Sequence, residues 1–374
     1  MTIMEASSSS VDSTLFPLCT FLLSVYTLGV SADVFVSSTA RLAHRLHVSE
    51  TLMSLLTAGA EWEELAVVIA AVAQHQPKLA LGNVLGSCVA NVLGAFSLGV
   101  LAQREVVVQY DVSAKIYAVV LFGVTTGVAV LWGFGQLEGH VYGAILVVAF
   151  ASYLVGIGWS IYRGVLEAPE ESDAESDAES DADSVDSGDD RGPEDPRHGV
   201  SRDDHSGDEE VDESTTLVGR RRTRPSTLSH LVKLILAFVT LSISGYVLSH
   251  SSQSLAARFN ISQTVFGATL LSLATTLPEK FVAVISGHRG HPGITVANTV
   301  GSNIFLLTLC LGVTILSSKS LAQGSSYTNE IVWTWTTSAF LTVMIMLGTH
   351  WLVGLAMLLA YVAFIVLEFT LYKP

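Results

Sequence analysis

The sequence predicts an all-α membrane protein, with ten transmembrane helices arranged as two inverted five-helix repeats. Three observations carry this expectation. Ten apolar runs are long enough to cross a bilayer, an acidic insert divides them five and five, and a residue pattern recurs 213 to 215 positions further along the chain. Half of the 374 residues are hydrophobic, 14% are charged, and mean hydropathy is +0.51, well above the balance of a soluble domain.

Crossing about 30 Å of hydrocarbon takes roughly 20 residues of helix. Runs of that length fall near 14–33, 50–73, 79–101, 113–132 and 141–162, and again near 229–249, 263–286, 292–316, 330–348 and 351–371. The resulting domains are an N-terminal tail over 1–13, a first membrane repeat over 14–163, an acidic loop over 164–228 and a second membrane repeat over 229–374. The start of the chain has no Lys or Arg before the first run, so that run reads as a retained helix rather than a signal peptide. Cys19, Cys88 and Cys310 are unclustered and lie in apolar stretches, which makes neither a disulfide framework nor a zinc site.

The formal charge of −15 belongs to the loop. Between Glu167 and Glu213 there are 21 acidic and 3 basic residues, and the rest of the chain carries +3. The loop repeats Ser172-Asp173-Ala174-Glu175 and Ser176-Asp177-Ala178-Glu179 with almost no apolar residue, so disorder is expected. Basic residues cluster on one side of alternating spans, at Arg41, Arg45, Arg104, Lys115, Arg163 and Arg220 to Arg224. That side is expected to be cytosolic, with the loop on it and both termini on the other. A loop so placed is open to cytosolic kinases or regulators; the other partners expected are the bilayer and transported cations, with no nucleic acid. The membrane itself, plasma or intracellular, cannot be read.

The repeat is explicit in the residues. Leu42-Ala43-His44-Arg45-Leu46-His47-Val48-Ser49-Glu50-Thr51 is echoed by Leu255-Ala256-Ala257-Arg258-Phe259-Asn260-Ile261-Ser262-Gln263-Thr264, and Glu64, Pro77, Asn83, Gly86 and Ser87 recur as Glu279, Pro292, Asn298, Gly301 and Ser302. Five spans is an odd number, so the second copy should sit upside down relative to the first. Inverted repeats are the architecture of secondary transporters, whose sites form where broken helices meet at the midplane.

Glu64 and Glu279 fall deep in their spans, where an ionised carboxylate costs at least about 2.5 kcal/mol unless compensated. A hard divalent cation with oxygen ligands relieves both that cost and the mutual repulsion of two facing acids. Thr275 and Thr276 add hydroxyls, and Pro278 removes a backbone N–H so that carbonyls near Ala274 and Thr275 are freed. Ser87 and Ser302 present hydroxyls, while Asn83, Asn91, Asn298 and Asn303 offer amide oxygens. Alone each is ordinary helix glue; matched on both repeats they point to one site.

These motifs resemble the sodium/calcium exchanger family, whose two repeats read roughly G-T-S-x-P-E followed by G-N-x-x-G-S-x-x-x-N/D. The resemblance rests on Thr275-Thr276-Leu277-Pro278-Glu279, on Gly82-Asn83-Val84-Leu85-Gly86-Ser87-Cys88-Val89-Ala90-Asn91 and on Ala297-Asn298-Thr299-Val300-Gly301-Ser302-Asn303. It implies Ca²⁺ export against Na⁺ or, in related branches, H⁺ or K⁺, with no resident cofactor and no enzymatic activity.

Three departures bear on coupling. The first repeat reads Ala60-Glu61-Trp62-Glu63-Glu64 in place of T-S-x-P-E, Leu306 replaces an Asn or Asp, and Lys280 follows Glu279. Glu61 lies three residues from Glu64, on the same helix face, and is expected to join the ligands. Glu63 and Lys280 each point about 100° away from their neighbouring acids and are expected to pair across the helices, where an ammonium could stand in for one monovalent ion. Alternatively, clustered acids that cannot all ionise would hold a proton, which suits H⁺ coupling. The competing reading is a degenerate, non-transporting homologue acting as scaffold or regulator, since the first repeat has lost expected hydroxyls. An intramembrane protease would need Tyr-Asp and Gly-x-Gly-Asp pairs that do not occur.

Overall fold

The computed structural model of the protein describes residues 2–45, 60–103, 105, 107–133, 138–163, 227–318 and 327–371. The acidic loop expected over 164–228 lies outside these residues, apart from its last two positions, which begin a helix.

Helix α1 runs Thr2–Arg45, so it extends back through the stretch read as a tail. It is followed by α2 (Trp62–Ala73), α3 (Pro77–Ala102), α4 (Val112–Gly133) and α5 (Gly139–Tyr162). The second half contains α6 (Thr227–Arg258), α7 (Gln263–Thr275), α8 (Leu277–Arg289), α9 (Pro292–Ser317), α10 (Thr328–Leu347) and α11 (Trp351–Leu371). A two-residue antiparallel pairing joins β1 (Val107–Val108) to β2 (Thr349–His350), with Val107 opposite His350. Eight of these helices are long and apolar enough to cross a membrane, and α7 with α8, bent by 47°, make a ninth span if counted as one. The first part of the span expected near 50–73 falls outside the described residues.

The core is built on two helices. Within their apolar windows α3 is 89% buried and α9 is 78%, whereas no other spanning helix exceeds 39%. The outer helices turn apolar side chains outward, among them Leu22, Leu23, Phe238 and Val366, as helices bathed in lipid must. Helix α1 lies along α6, α4 along α10, and α5 against the end of α9. Cys88 and Cys310 are buried in the core and Cys19 is exposed on α1.

Close approach of α3 to α7 depends on missing side chains. A Cβ at Gly86 would strike the backbone of Ala268, and one at Gly267 would lie 2.6 Å from the carbonyl oxygen of Leu79. The two helices therefore touch backbone to backbone.

The repeat seen in the residues recurs in local structure at the same offset of 215. His75, φ 58°, and Gly290, φ 79°, both take left-handed backbone between consecutive helices. Around them the amide of His75 donates to the carbonyl of Val72 and that of Gln76 to Ala71, as Gly290 donates to Gly287 and His291 to Ser286. Pro77 and Pro292 then open α3 and α9, where a missing amide hydrogen costs nothing. Each of these helices widens into a π-helical turn, Ala90–Phe96 in α3 and Leu306–Cys310 in α9.

Candidate functional site

Two helix starts set the site, α8 after a break and α2 just after residue 61. At Thr276 the backbone leaves helical geometry, φ −88° and ψ 18°, and Pro278 in the first turn of α8 leaves the Ala274 carbonyl without its usual amide partner. The corresponding residue in the first half, Glu61, is likewise non-helical, φ −83° and ψ 76°, just before α2. Helix α2 starts just after Glu61, which puts Glu64 in its first turn as Glu279 is in the first turn of α8. Free N–H groups and the positive end of the helix dipole favour a carboxylate at each place.

Glu64 is fully buried. It accepts hydrogen bonds from Ser87 Oγ at 2.8 Å and from Asn83 Nδ2; Thr275 lies near it, its own hydroxyl donating to the Leu271 carbonyl at 3.0 Å. Helix α3 supplies Asn83, Ser87 and Asn91, one helical turn apart, on the face toward α2. Glu61, 3% exposed, accepts from Asn91 Nδ2 at 3.3 Å and lies near Ser302 and Glu279. Thus the acids of the two halves meet, Glu64 beside Thr275 and Glu61 beside Glu279. Oxygens Oε2 of Glu61 and Glu279, and Oδ1 of Asn83, Asn91 and Asn303, are buried without a hydrogen-bond partner among the described residues. A buried polar atom of this kind calls for a partner.

The structure gathers most of the residues singled out from the sequence. Glu61, Glu64, Glu279, Thr275, Ser87, Ser302, Asn83 and Asn91 are linked as described. Thr276 is buried and its hydroxyl donates to the Ser272 carbonyl at 2.5 Å. Asn303 spends its amide on the Cys88 carbonyl of α3, at 3.1 Å, which leaves its Oδ1 free. Asn298 is half-buried, and among the described residues nothing joins it to a site carboxylate.

The expected pairing of Glu63 with Lys280 is not made. Among the described residues no ion pair joins them: the Lys280 ammonium donates instead to the carbonyl of Thr276, at 3.0 Å, and to its hydroxyl. Glu63, which starts on the far side of α2 from the acids, faces a cleft of about 360 Å³ lined also by Asp33, Leu28, Thr275, Pro278 and Phe281. Asp33 on α1 was not singled out from the sequence. Its signal was available, since an acid deep in a membrane span is a functional candidate by default.

Eight long apolar helices and one bent pair among the described residues define an integral membrane protein, with buried acids at its core. A family model described as sodium/calcium exchanger protein matches residues 16–159 and 229–370. The chain therefore belongs to the sodium/calcium exchanger family, which consists of cation/calcium antiporters and not enzymes. Among similar proteins, an uncharacterized membrane protein of Methanocaldococcus jannaschii is 23% identical over 286 residues, covering 76% of each chain. The sodium/calcium exchanger MaX1 of Methanosarcina acetivorans is 30% identical over 141 residues, 36% of this chain and 39% of that protein. Among solved structures, the sodium-calcium exchanger NCX_Mj soaked with Na⁺ and Sr²⁺ matches with a TM-score of 0.54 at 19% identity, over 94% of this chain and 98% of that one. That likeness concerns the fold.

Proposed function

We propose that the chain is a secondary active antiporter that exchanges Ca²⁺ for a monovalent cation, Na⁺ or H⁺, by alternating access between two inverted repeats of five helices. The observation that carries this reading is the meeting of Glu61 and Glu64 from one half with Glu279 and Thr275 from the other, all buried. Glu64 and Glu279 would hold Ca²⁺ with Glu61, assisted by oxygens of Thr275, Ser87, Ser302, Asn83, Asn91 and Asn303, while the oxygens of Thr276 take the Lys280 ammonium. Asn298 would enter the set only in another state of the cycle. The membrane repeats would span 14–163 and 229–374, with the acidic loop cytosolic and open to kinases or regulators.

Proton coupling is the favoured version because of Glu61. Neighbouring carboxyl groups would hold either a proton or a cation, since like charges close together cannot both stand bare. A cycle in which Ca²⁺ and protons alternate on Glu61 and Glu279 follows directly.

Reconstituted protein should take up ⁴⁵Ca²⁺ into liposomes when an outward H⁺ gradient is imposed, with smaller responses to Na⁺ or K⁺ gradients. Glu61→Gln should weaken the response to the pH gradient more than it weakens Ca²⁺ binding. Uptake that follows Na⁺ alone and ignores the pH gradient would discard the proton version. A wild-type protein without flux under any gradient would favour the scaffold reading instead.

A further inference from the structure

Lys280 has no place in the proposed exchange cycle, yet its ammonium occupies oxygens of the site. It donates to the Thr276 carbonyl at 3.0 Å and to the Thr276 hydroxyl, both at the helix break that opens α8. The carbonyl also faces the Lys280 amide at 3.4 Å, a weak bond that leaves it electron-rich. Space for the side chain comes from Gly94 in the π-helical turn of α3, where a Cβ would stand 3.4 Å from Cε of Lys280 and 3.5 Å from the Tyr361 ring. The side chain is half-buried, and the acids acting on it are Glu279, Glu61 and Glu64.

A carbonyl and a hydroxyl at a broken helix, backed by carboxylates, are the ligands that a monovalent cation would take. Here they hold a nitrogen cation fixed to the chain. Three ionised acids, Glu61, Glu64 and Glu279, carry three negative charges; one Ca²⁺ balances two and Lys280 the third. Once Ca²⁺ leaves, two monovalent ions restore neutrality, where three would be needed without the lysine. Asp33 and Glu63 are the other charged groups nearby; both line a cleft beside Thr275 and Pro278, Glu63 also acts on Glu61 and Glu279, and the balance above takes Glu63 as protonated.

We infer that the Lys280 ammonium is a resident monovalent cation of the transport site, seated on the oxygens of Thr276. It sets the exchange at two monovalent ions for one Ca²⁺ instead of three, so that the cycle is electroneutral. The inference rests on the antiporter reading, and deepens it by naming the stoichiometry and its cause.

The test compares wild type with Lys280→Met and Lys280→Gln, the latter keeping a hydrogen-bond donor for Thr276 if the apolar variant does not fold. In proteoliposomes clamped with K⁺ and valinomycin, Ca²⁺ accumulation by the wild type should not respond to membrane potential. The variants should gain a tenfold change in accumulation ratio per 59 mV, the signature of one net charge per cycle. Equal responses in wild type and variants overturn the inference. A second readout does not depend on transport. Na⁺ or K⁺ should raise the Tm of purified Lys280→Gln in detergent far more than that of wild type, because only the variant has a vacant monovalent position. Should the wild type show no Ca²⁺ flux, the antiporter reading fails, and the thermal comparison alone decides whether Lys280 fills a cation position: equal salt responses reject it.

Discussion

Glu64→Gln and Glu279→Gln should each reduce Ca²⁺ flux at least about tenfold, since loss of groups that merely orient metal ligands already lowers affinity 10–100-fold. Glutamine keeps the shape and one acceptor oxygen. Ser87 and Asn83 can therefore still donate to position 64, and the protein should fold. What is lost is the negative charge that compensates a divalent ion in an apolar bundle. Initial rates of ⁴⁵Ca²⁺ uptake at several Ca²⁺ concentrations separate weaker binding from slower turnover. If either variant runs within twofold of wild type, that carboxylate does not hold Ca²⁺ and the site needs a different centre.

Gly86→Val should be the most damaging change away from the acids. Overpacking a core costs about 1–3 kcal/mol when side chains can yield, but a Cβ at Gly86 meets the backbone of Ala268. Helices α3 and α7 would have to separate, which also moves Ser87 from Glu64. The expected outcome is a loss of monodisperse protein on size-exclusion chromatography and a markedly lower Tm. Gly123→Ala on α4, with nothing within 4 Å of its added Cβ, is the control and should behave as wild type. A normal Tm for Gly86→Val would mean that the two helices do not touch as described.

Most of the fold was legible because lipid imposes a simple grammar. Apolar runs of fixed length gave the helices, and Glu64 and Glu279 stood out because an acid in hydrocarbon needs a reason. The polar residues of α3 were legible from the repeat, since Asn83 and Ser87 recur as Asn298 and Ser302. What stayed hidden depends on backbone detail that residue type does not encode. The non-helical backbone at Glu61, just before α2, has no proline to announce it. Asn298 matched Asn83 by register, yet one lies half-buried and the other bonds Glu64. Lys280 was placed by helical angle opposite Glu63, but a flexible four-carbon stem reaches back along its own helix to Thr276. Helical wheels fix where a side chain starts, and long side chains end elsewhere.

The paired turns at His75 and Gly290 have a practical consequence for making a sturdier protein. Both copies need left-handed backbone, which glycine adopts freely and a residue with a Cβ adopts at a cost of roughly 1 kcal/mol. The second copy has the relaxed solution and the first does not. His75→Gly should therefore raise Tm slightly, or leave it level if the extra freedom of the unfolded chain cancels the gain, while Gly290→Ala should lower it. Position 75, outside the charged centre and at the end of a hairpin, is where thermostabilisation for crystallisation can begin without touching ion selectivity.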